Sequence, residues 1–294
     1  MQNFQRSKMK NLVIAYQGVE GAYSHLSCQN VFPNAASIAC ETFQEAMHLV
    51  EQEEADLAMI PVENSTAGRV EEIYRLIPKM KLHIRSEHFE PVKHCLLALK
   101  GTKPEELKYV SSHPQALAQC HLNIGKLKLE ALAKFDTAGS AKELIELQDK
   151  SHGAIASSLS AQLYDLDILD NDFGDHHGNT TRFLILSKEN KIPEYNKDES
   201  YITSLVFKVR DIPSSLYKTL GGFATNGVNL IKLESYSIPG SMKATQFHID
   251  IDGHTSEKKL QLALEELDFF AKDVKNLGVY RRHEYRDKMK SYNK

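Results

Sequence analysis

This chain of 294 residues lacks an excess of either charge, long apolar runs and paired cysteines. Lys and Arg number 36 against 39 Asp and Glu, a net charge of −3. A general nucleic-acid binder needs a basic surplus to neutralise phosphates, so no nucleic-acid partner is expected. The longest unbroken apolar runs, Leu12–Tyr16 and Cys95–Leu99, are five residues each. Spanning a bilayer takes ~20, so no membrane partner is expected either. The N-terminal MQNFQRSKMK is polar, unlike a secretory signal, and the expectation is a soluble, cytoplasmic protein. Cys28, Cys40, Cys95 and Cys120 form no C-x-x-C pair and sit in apolar or helical settings, where reduced thiols act as small hydrophobes. Disulfides are not expected in a reducing compartment.

Several chemical signatures are missing as well. There is no Walker A sequence, no nucleophile elbow and no H-E-x-x-H. Gly18-x-x-Gly21 lacks the first spacing of a dinucleotide fingerprint, and Gly221-Gly222 falls inside a helical pattern. The run Asp170–His177 invites a calcium reading, but the EF-hand position that needs Glu is Thr181. That run reads as a solvated acidic loop, and no metal is expected.

At 41% hydrophobic and 26% charged, the composition is that of a globular protein. The length suggests two domains. Through about residue 186, short β-type runs alternate with helical patterns. Strands are expected at Leu12–Tyr16, Leu57–Val62, Leu82–Phe89, Cys95–Leu99, Tyr109–Ser111, Leu127–Phe135, Gly153–Ala156 and Phe183–Leu186. Helices are expected from Gly21 to Phe32, after the Thr42/Glu45 capping box to Glu54, from Val70 to Ile77, and at Gln115–Leu122 and Ala138–Leu147. The polar stretch Glu63–Gly68 reads as a loop. The alternation predicts an α/β domain with a mostly parallel sheet, whose ligands sit beyond strand ends.

A charged, proline-containing linker follows at 187–200. Beyond it, Leu205, Phe207 and Val209 alternate as a strand, and Leu216, Leu220, Phe223 and Ala224 form a helical stripe. Asn229–Ser235 reads as a strand, Phe247, Ile249 and Ile251 alternate again, and Leu260, Leu264 and Leu267 make a second stripe. A last strand near Val279 completes a ferredoxin-like βαββαβ unit. The basic tail Arg281–Lys294 is expected to fray.

Four polar segments stand at strand ends: Gly18–Ser24, Glu63–Gly68, Ser112–Gln115 and Asn179–Phe183. Together they suit a small anionic, partly apolar ligand. Arg182 offers a planar fork for a carboxylate, Thr181 a neutral donor and Phe183 an apolar wall. Ser24, Ser65 and Ser112 can set hydroxyls and backbone N–H groups at helix starts. Taken singly, such serines are helix caps, and an Arg opening a strand is a surface charge.

In this order, GVEGAYSH, PVENSTAGRV, KHCLLAL, SHPQALAQC, FDTAGSAKEL, GAIAS and NTTRFLIL resemble the prephenate dehydratase family, over about residues 11–281. The resemblance implies a catalytic domain at 11–190, two-lobed like type II periplasmic binding proteins, and an ACT regulatory domain at 203–281. It implies loss of carbon dioxide and hydroxide from prephenate to give phenylpyruvate, with no cofactor. Thr181 would be catalytic, with Arg182, Phe183, Asn64, Ser65, Ser112, Gln115 and Glu63 binding substrate. His113 and Glu63 are candidates for proton relay, and Asn171 for a family asparagine.

The resemblance also implies inhibition by L-phenylalanine, bound around Asp211, Ser214, Ser215, Leu216, Asn229, Glu234 and Ser235, in a homodimer or homotetramer. The family commonly has Pro-Gly-Ala-Leu where this chain has Pro213-Ser214-Ser215-Leu216, and Glu-Ser-Arg-Pro where it has Glu234-Ser235-Tyr236-Ser237. A helix start does not by itself require glycine at 214. The competing readings are an arogenate dehydratase, and a non-catalytic anion sensor of the same fold.

Overall fold

The computed structural model describes residues 12–237 and 244–292. The polar N-terminal segment, residue 11 of the expected first domain and the last two residues of the tail lie outside them. In chain order the elements are β1 (Val13–Gln17), α1 (Tyr23–Val31), β2 (Ala36–Cys40), α2 (Phe43–Glu51), β3 (Leu57–Asn64), β4 (Gly68–Arg69), α3 (Glu71–Leu76) and β5 (His83–Pro91). Next come β6 (Cys95–Ala98), β7 (Tyr109–Ser112), α4 (Pro114–Gln119), α5 (His121–Lys126), β8 (Glu130–Ala133), α6 (Thr137–Leu147), β9 (His152–Ala156), α7 (Ser158–Leu163), β10 (Asp167–Asp170) and β11 (Thr180–Ser187). The chain ends with β12 (Tyr201–Val209), α8 (Ser215–Thr225), β13 (Leu230–Ser237), β14 (Ala244–Asp252), α9 (Lys258–Phe270), β15 (Ala271–Arg281) and α10 (Tyr285–Tyr292). These residues gather into two compact units: one holds the chain through Gly68 with Glu90–Thr181, the other Arg69–Phe89 with the chain from Arg182 on.

In the first unit β2 and β3 flank β1, both parallel to it. The expected capping box is present with one shift. Thr42 Oγ1 accepts from Glu45 N at 3.1 Å, but the Glu45 carboxylate returns to Glu41 N at 2.8 Å, one residue before the cap. A second sheet has the order β10-β6-β9-β7-β8. Here β7 is parallel to β8 and β9, whereas β6 is antiparallel to β9 and β10. The sheet is therefore mixed rather than mostly parallel. Leu96 and Ala98 enter one core with Val110, Ile155 and Phe173, and Cys95, Leu97 and Leu99 enter another with Ala154, Ala156 and Leu144. Burial on both faces is why this run shows no polar alternation.

Several expected boundaries are corrected. Glu63 and Asn64 continue strand β3 instead of opening a loop. The helix expected at 115–122 is two short helices meeting at Cys120. Only Glu130–Ala133 of the expected 127–135 strand pairs with β7. β2, α7 and β10 were not expected at all. Within the acidic run, Asp175 caps α5 by accepting from Leu122 N at 2.9 Å and Asn123 N at 3.1 Å.

In the second unit β5 and β11 lie side by side, and the C-terminal sheet has the antiparallel order β13-β14-β12-β15. With α8 and α9 this is the expected βαββαβ unit. Its core joins Leu205, Phe207, Phe223, Phe247, Ile249, Ile251, Leu260 and Leu267. Gly222 belongs to the contact between α8 and α9: a Cβ there would lie 2.7 Å from Glu266 Cβ. The tail is not frayed through Tyr292. It forms α10, held by Arg286 on Glu87 at 2.7 and 2.8 Å and by Tyr285 stacked on Phe89 at 4.6 Å.

Candidate active site

Within the first unit, a cavity of about 910 Å³ opens at the starts of three helices. Its wall includes Gly18–Glu20 and Ala22–Ser24 before and in α1, Cys40–Thr42 before α2, and Phe135–Thr137, Gly139 and Lys142 at α6. Parallel β-strands feeding helices put helix N-termini at such a rim, where backbone N–H groups favour anions. α2 is capped by Thr42 and α6 by Asp136, but no side chain caps α1, whose N-cap is Ala22. Lys142 adds a cation to the wall, and Phe135, 93% exposed, stands at the lip.

The loop before α1 is tightly held. Gly21 has φ +88°, and a Cβ on it would fall 2.7 Å from Ser160 Oγ, so glycine is needed for both backbone and space. Its carbonyl accepts from Ser157 Oγ at 2.6 Å and Ser160 Oγ at 3.1 Å. Its N–H donates to His25 Nδ1 at 3.2 Å, and that ring stacks on Tyr16.

Thr181 is half-buried at the start of β11, and its hydroxyl faces Asn64. Asn64 Oδ1 accepts from Thr66 N at 3.0 Å and Ala67 N at 2.9 Å. Backbone N–H groups only donate, so this amide cannot be turned the other way. Its N–H₂ therefore donates to Thr181 Oγ1 at 3.0 Å and to Asn179 Oδ1 at 2.7 Å. Among the described residues, no acceptor takes the hydrogen of the Thr181 hydroxyl itself. Asn179 Nδ2 donates to Gln119 Oε1 at 3.0 Å, and His94 Nε2 meets the same oxygen at 2.7 Å. Tyr23 Oη, beside the cavity, lies 3.1 Å from His94 Nδ1 and 2.8 Å from Lys93 O.

The other expected site residues are spread differently. Ser65 ties the turn after β3 to β11: its Oγ accepts from Thr180 N at 3.0 Å and donates to Gly178 O at 3.3 Å. Glu63 is half-buried in β3, and Gln115 is exposed in the first turn of α4. Ser112, Arg182 and Phe183 are engaged elsewhere in the protein. Ser112 is fully buried and donates to Ile155 O at 2.6 Å, inside the sheet. Arg182 offers no open fork: in the second unit its Nε meets Glu87 Oε2 at 2.9 Å, and its Nη2 meets Asp250 Oδ2 at 2.9 Å and Tyr280 Oη at 3.0 Å. Phe183, also in that unit, is fully buried with its ring 6.4 Å from that of His88. His113 caps α4 through Nδ1, accepting from Gln115 N at 3.2 Å. Asn171 is exposed, and its carbonyl faces Cys95 Sγ at 3.7 Å.

Burial would raise the Asp250 carboxyl, but Arg182, His248 and Ser204 outweigh it and hold it well below the carboxylate range. Burial pushes all four thiols up, Cys40 and Cys95 to about 11 and Cys28 and Cys120 to about 12, so none is a thiolate nucleophile near neutral pH. No group of His, Cys, Asp and Glu that could hold a metal occurs among the described residues, and no helix there is long and apolar enough to cross a membrane.

Of the expected effector residues, Asp211 and Ser214 precede α8, Ser215 and Leu216 open it, Asn229 precedes β13, and Glu234 and Ser235 lie in β13. Glu234 pairs with Arg69 at 3.0 Å, so a guanidinium from the β4 segment meets this strand, which lacks an Arg of its own. Ser214 has φ +58°, a left-handed conformation. The expectation that this helix start is indifferent to glycine is thereby corrected.

Sequence reasoning does not single out Gln119, Asn179, His94 or Tyr23, which the structure links to Asn64 and Thr181. All four lie in the quoted segments, Tyr23 and Asn179 within the polar stretches and His94 and Gln119 among apolar neighbours that suggested core.

The family model for prephenate dehydratase matches residues 14–191. The chain is 42% identical over 277 residues to the bifunctional N-acyl-homoserine lactone acylase/prephenate dehydratase of Komagataeibacter europaeus, covering 94% of this chain and 98% of that one. It is 40% identical over 283 residues to arogenate dehydratase 2 of Petunia hybrida, covering 92% and 71%. The solved structure of prephenate dehydratase in complex with L-Phe from Arthrobacter aurescens superposes with a TM-score of 0.83 at 30% identity, covering 92% and 90%.

Proposed function

The chain belongs to the prephenate dehydratase family, lyases acting in aromatic amino-acid biosynthesis, and we propose that it converts prephenate to phenylpyruvate, with residues 11–190 as its catalytic part. The observation that carries this reading is the direction of the hydrogen bond at Thr181. Asn64, turned by the two backbone N–H groups, donates to Thr181 Oγ1. The Thr181 hydrogen is then left to donate to a departing oxygen.

In the reaction the bond from ring to carboxylate breaks and carbon dioxide leaves. Its electron pair moves into the ring, the opposite C–O bond breaks, and hydroxide departs to become water with one added proton. Negative charge therefore grows on that oxygen, where a preorganised donor is worth most. A threonine hydroxyl is a poor acid, so Thr181 stabilises the charge while solvent completes the protonation. The two substrate carboxylates need donors other than Arg182. The uncapped start of α1, Lys142 and the Gln119 amide supply them, with Ser65 and Glu63 shaping the turn beside Asn64.

We assign residues 203–281 as the regulatory part, taking L-phenylalanine as effector near Asp211, Ser214–Leu216, Asn229, Glu234 and Ser235 in a homodimer or homotetramer. The bound L-Phe of the Arthrobacter aurescens relative supports this. Incubation with prephenate or arogenate, following phenylpyruvate absorbance in alkali and phenylalanine respectively, tests the activity and its preference. Turnover of neither would overturn the reading. Calorimetry with L-phenylalanine tests regulation: no heat and no inhibition at millimolar concentration would leave that part structural.

A further inference from the structure

The hydrogen bonds between Thr181 and the cavity wall have a direction, and that direction is set at one end. Asn64 Oδ1 is committed to two backbone N–H groups, and its two N–H₂ hydrogens go to Thr181 and Asn179. Asn179, having accepted on Oδ1, must present N–H₂ to Gln119. Gln119 therefore presents Oε1 to His94, whose Nε2 must carry a hydrogen to meet it at 2.7 Å. In the neutral ring Nδ1 is then bare, and Tyr23 Oη, 3.1 Å away, shares its one hydrogen between that nitrogen and Lys93 O at 2.8 Å.

We propose that His94 is a positioning residue: fixed as the Nε2–H tautomer, it completes a chain whose donors converge on Gln119 Oε1, from His94 on one side and from Asn64 through Asn179 on the other, and keeps the Gln119 amide turned with its N–H₂ toward substrate. The kinetic part rests on the dehydratase reading above; the tautomer does not. His94 is 5% exposed, and burial lowers its pKa below the usual imidazole range, which favours the neutral ring the chain requires. The Gln119 N–H₂ has no protein partner among the described residues, so in this orientation it is an open donor. A turned Gln119 would offer an acceptor to an anionic ligand instead. A histidine that only filled space beside Tyr23 would place no demand on its own tautomer.

The test uses the full chain labelled with ¹⁵N-histidine, the His94 signals being assigned by their loss in His94→Gln. The expected spectrum shows Nε2 protonated and Nδ1 bare. Asn64→Asp supplies only acceptors at the far end, so Asn179 and Gln119 must turn over. His94 should then become the Nδ1–H tautomer, donating to Tyr23, which donates to Lys93 O. An Nδ1–H tautomer in the wild type, or an unchanged tautomer in Asn64→Asp, overturns the proposal.

In kinetics, His94→Leu should lower kcat by about tenfold or more with a smaller change in KM. His94→Gln, which still donates to Gln119, should recover most of that loss. Equal loss in both variants overturns the positioning role. If the wild type turns over neither prephenate nor arogenate, the dehydratase reading fails while the spectra still decide the chain.

Discussion

Arg182 stands one residue from Thr181, yet the two serve different ends. An arginine beside a catalytic threonine reads as a carboxylate fork because the planar donor set matches a carboxylate. Glu87 and Asp250 are carboxylates already inside the protein, and they take that fork. Arg182→Ala should therefore act first on stability. Removing one partner of a buried ion pair costs about 3–5 kcal/mol, read as a lower urea midpoint; an unchanged midpoint would return Arg182 to a surface role. Ser214 makes the opposite case, a residue holding a conformation it does not favour. At φ +58° it sits where an L side chain costs roughly 1–2 kcal/mol. Ser214→Gly should raise the stability of the C-terminal unit by about 1 kcal/mol in chemical denaturation, whereas a loss would show that the serine hydroxyl matters more than the strain.

At the level of elements, apolar runs and elements with a strong period are legible, and short stretches of mixed polarity are not. The alternation at Leu205–Val209 and Phe247–Ile251 marked β12 and β14, since each has one face on the core of α8 and α9. β2, α7 and β10, of five, six and four residues, mix small or polar with apolar residues, so they offer neither an apolar run nor the length for a period to emerge. Leu127–Phe135 carries apolar residues beyond the reach of its partner, and only its Glu130–Ala133 pairs with β7. For the candidate site, the resemblance names Thr181 and Asn64, which the structure joins by a hydrogen bond, whereas the neighbours that complete the network are not among the serines and glutamines it names. Ser112 points into the sheet, and Gln119 rather than Gln115 faces Asn179, differences that depend on which way α4 turns. The tail was misjudged because its anchor is distant in sequence: Arg286 reaches Glu87. Arg286→Ala should release α10, with its amides exchanging faster while those of β12 and β14 keep their protection. Unchanged exchange in α10 would show that Tyr285 on Phe89 suffices.

For the whole molecule, buried histidines set how stability follows pH. His94 is held below its ordinary value, chiefly by burial. Between that lowered value and about 6.5, the ordinary histidine value, the unfolded chain binds a proton that the folded chain does not. Stability is thus fully present above about pH 6.5 and is lost as pH falls through the folded value. Urea midpoints should drop between about pH 7 and about pH 5, and His94→Gln should flatten that slope; an identical slope would shift the effect to other groups. The lowered Asp250 carboxyl acts with the same sign at more acid pH, where protonation breaks its pairing with Arg182.

The central claim is that Thr181, directed by Asn64, donates to the oxygen leaving prephenate. Its most direct measurement is kcat for phenylpyruvate formation by wild type, Thr181→Ala and Thr181→Ser, each checked for native circular dichroism. Loss of such a donor is worth about 2.7–4 kcal/mol of barrier, so Thr181→Ala should fall about a hundredfold or more while Thr181→Ser keeps substantial activity. A folded Thr181→Ala that turns over prephenate at the wild-type rate would contradict the account.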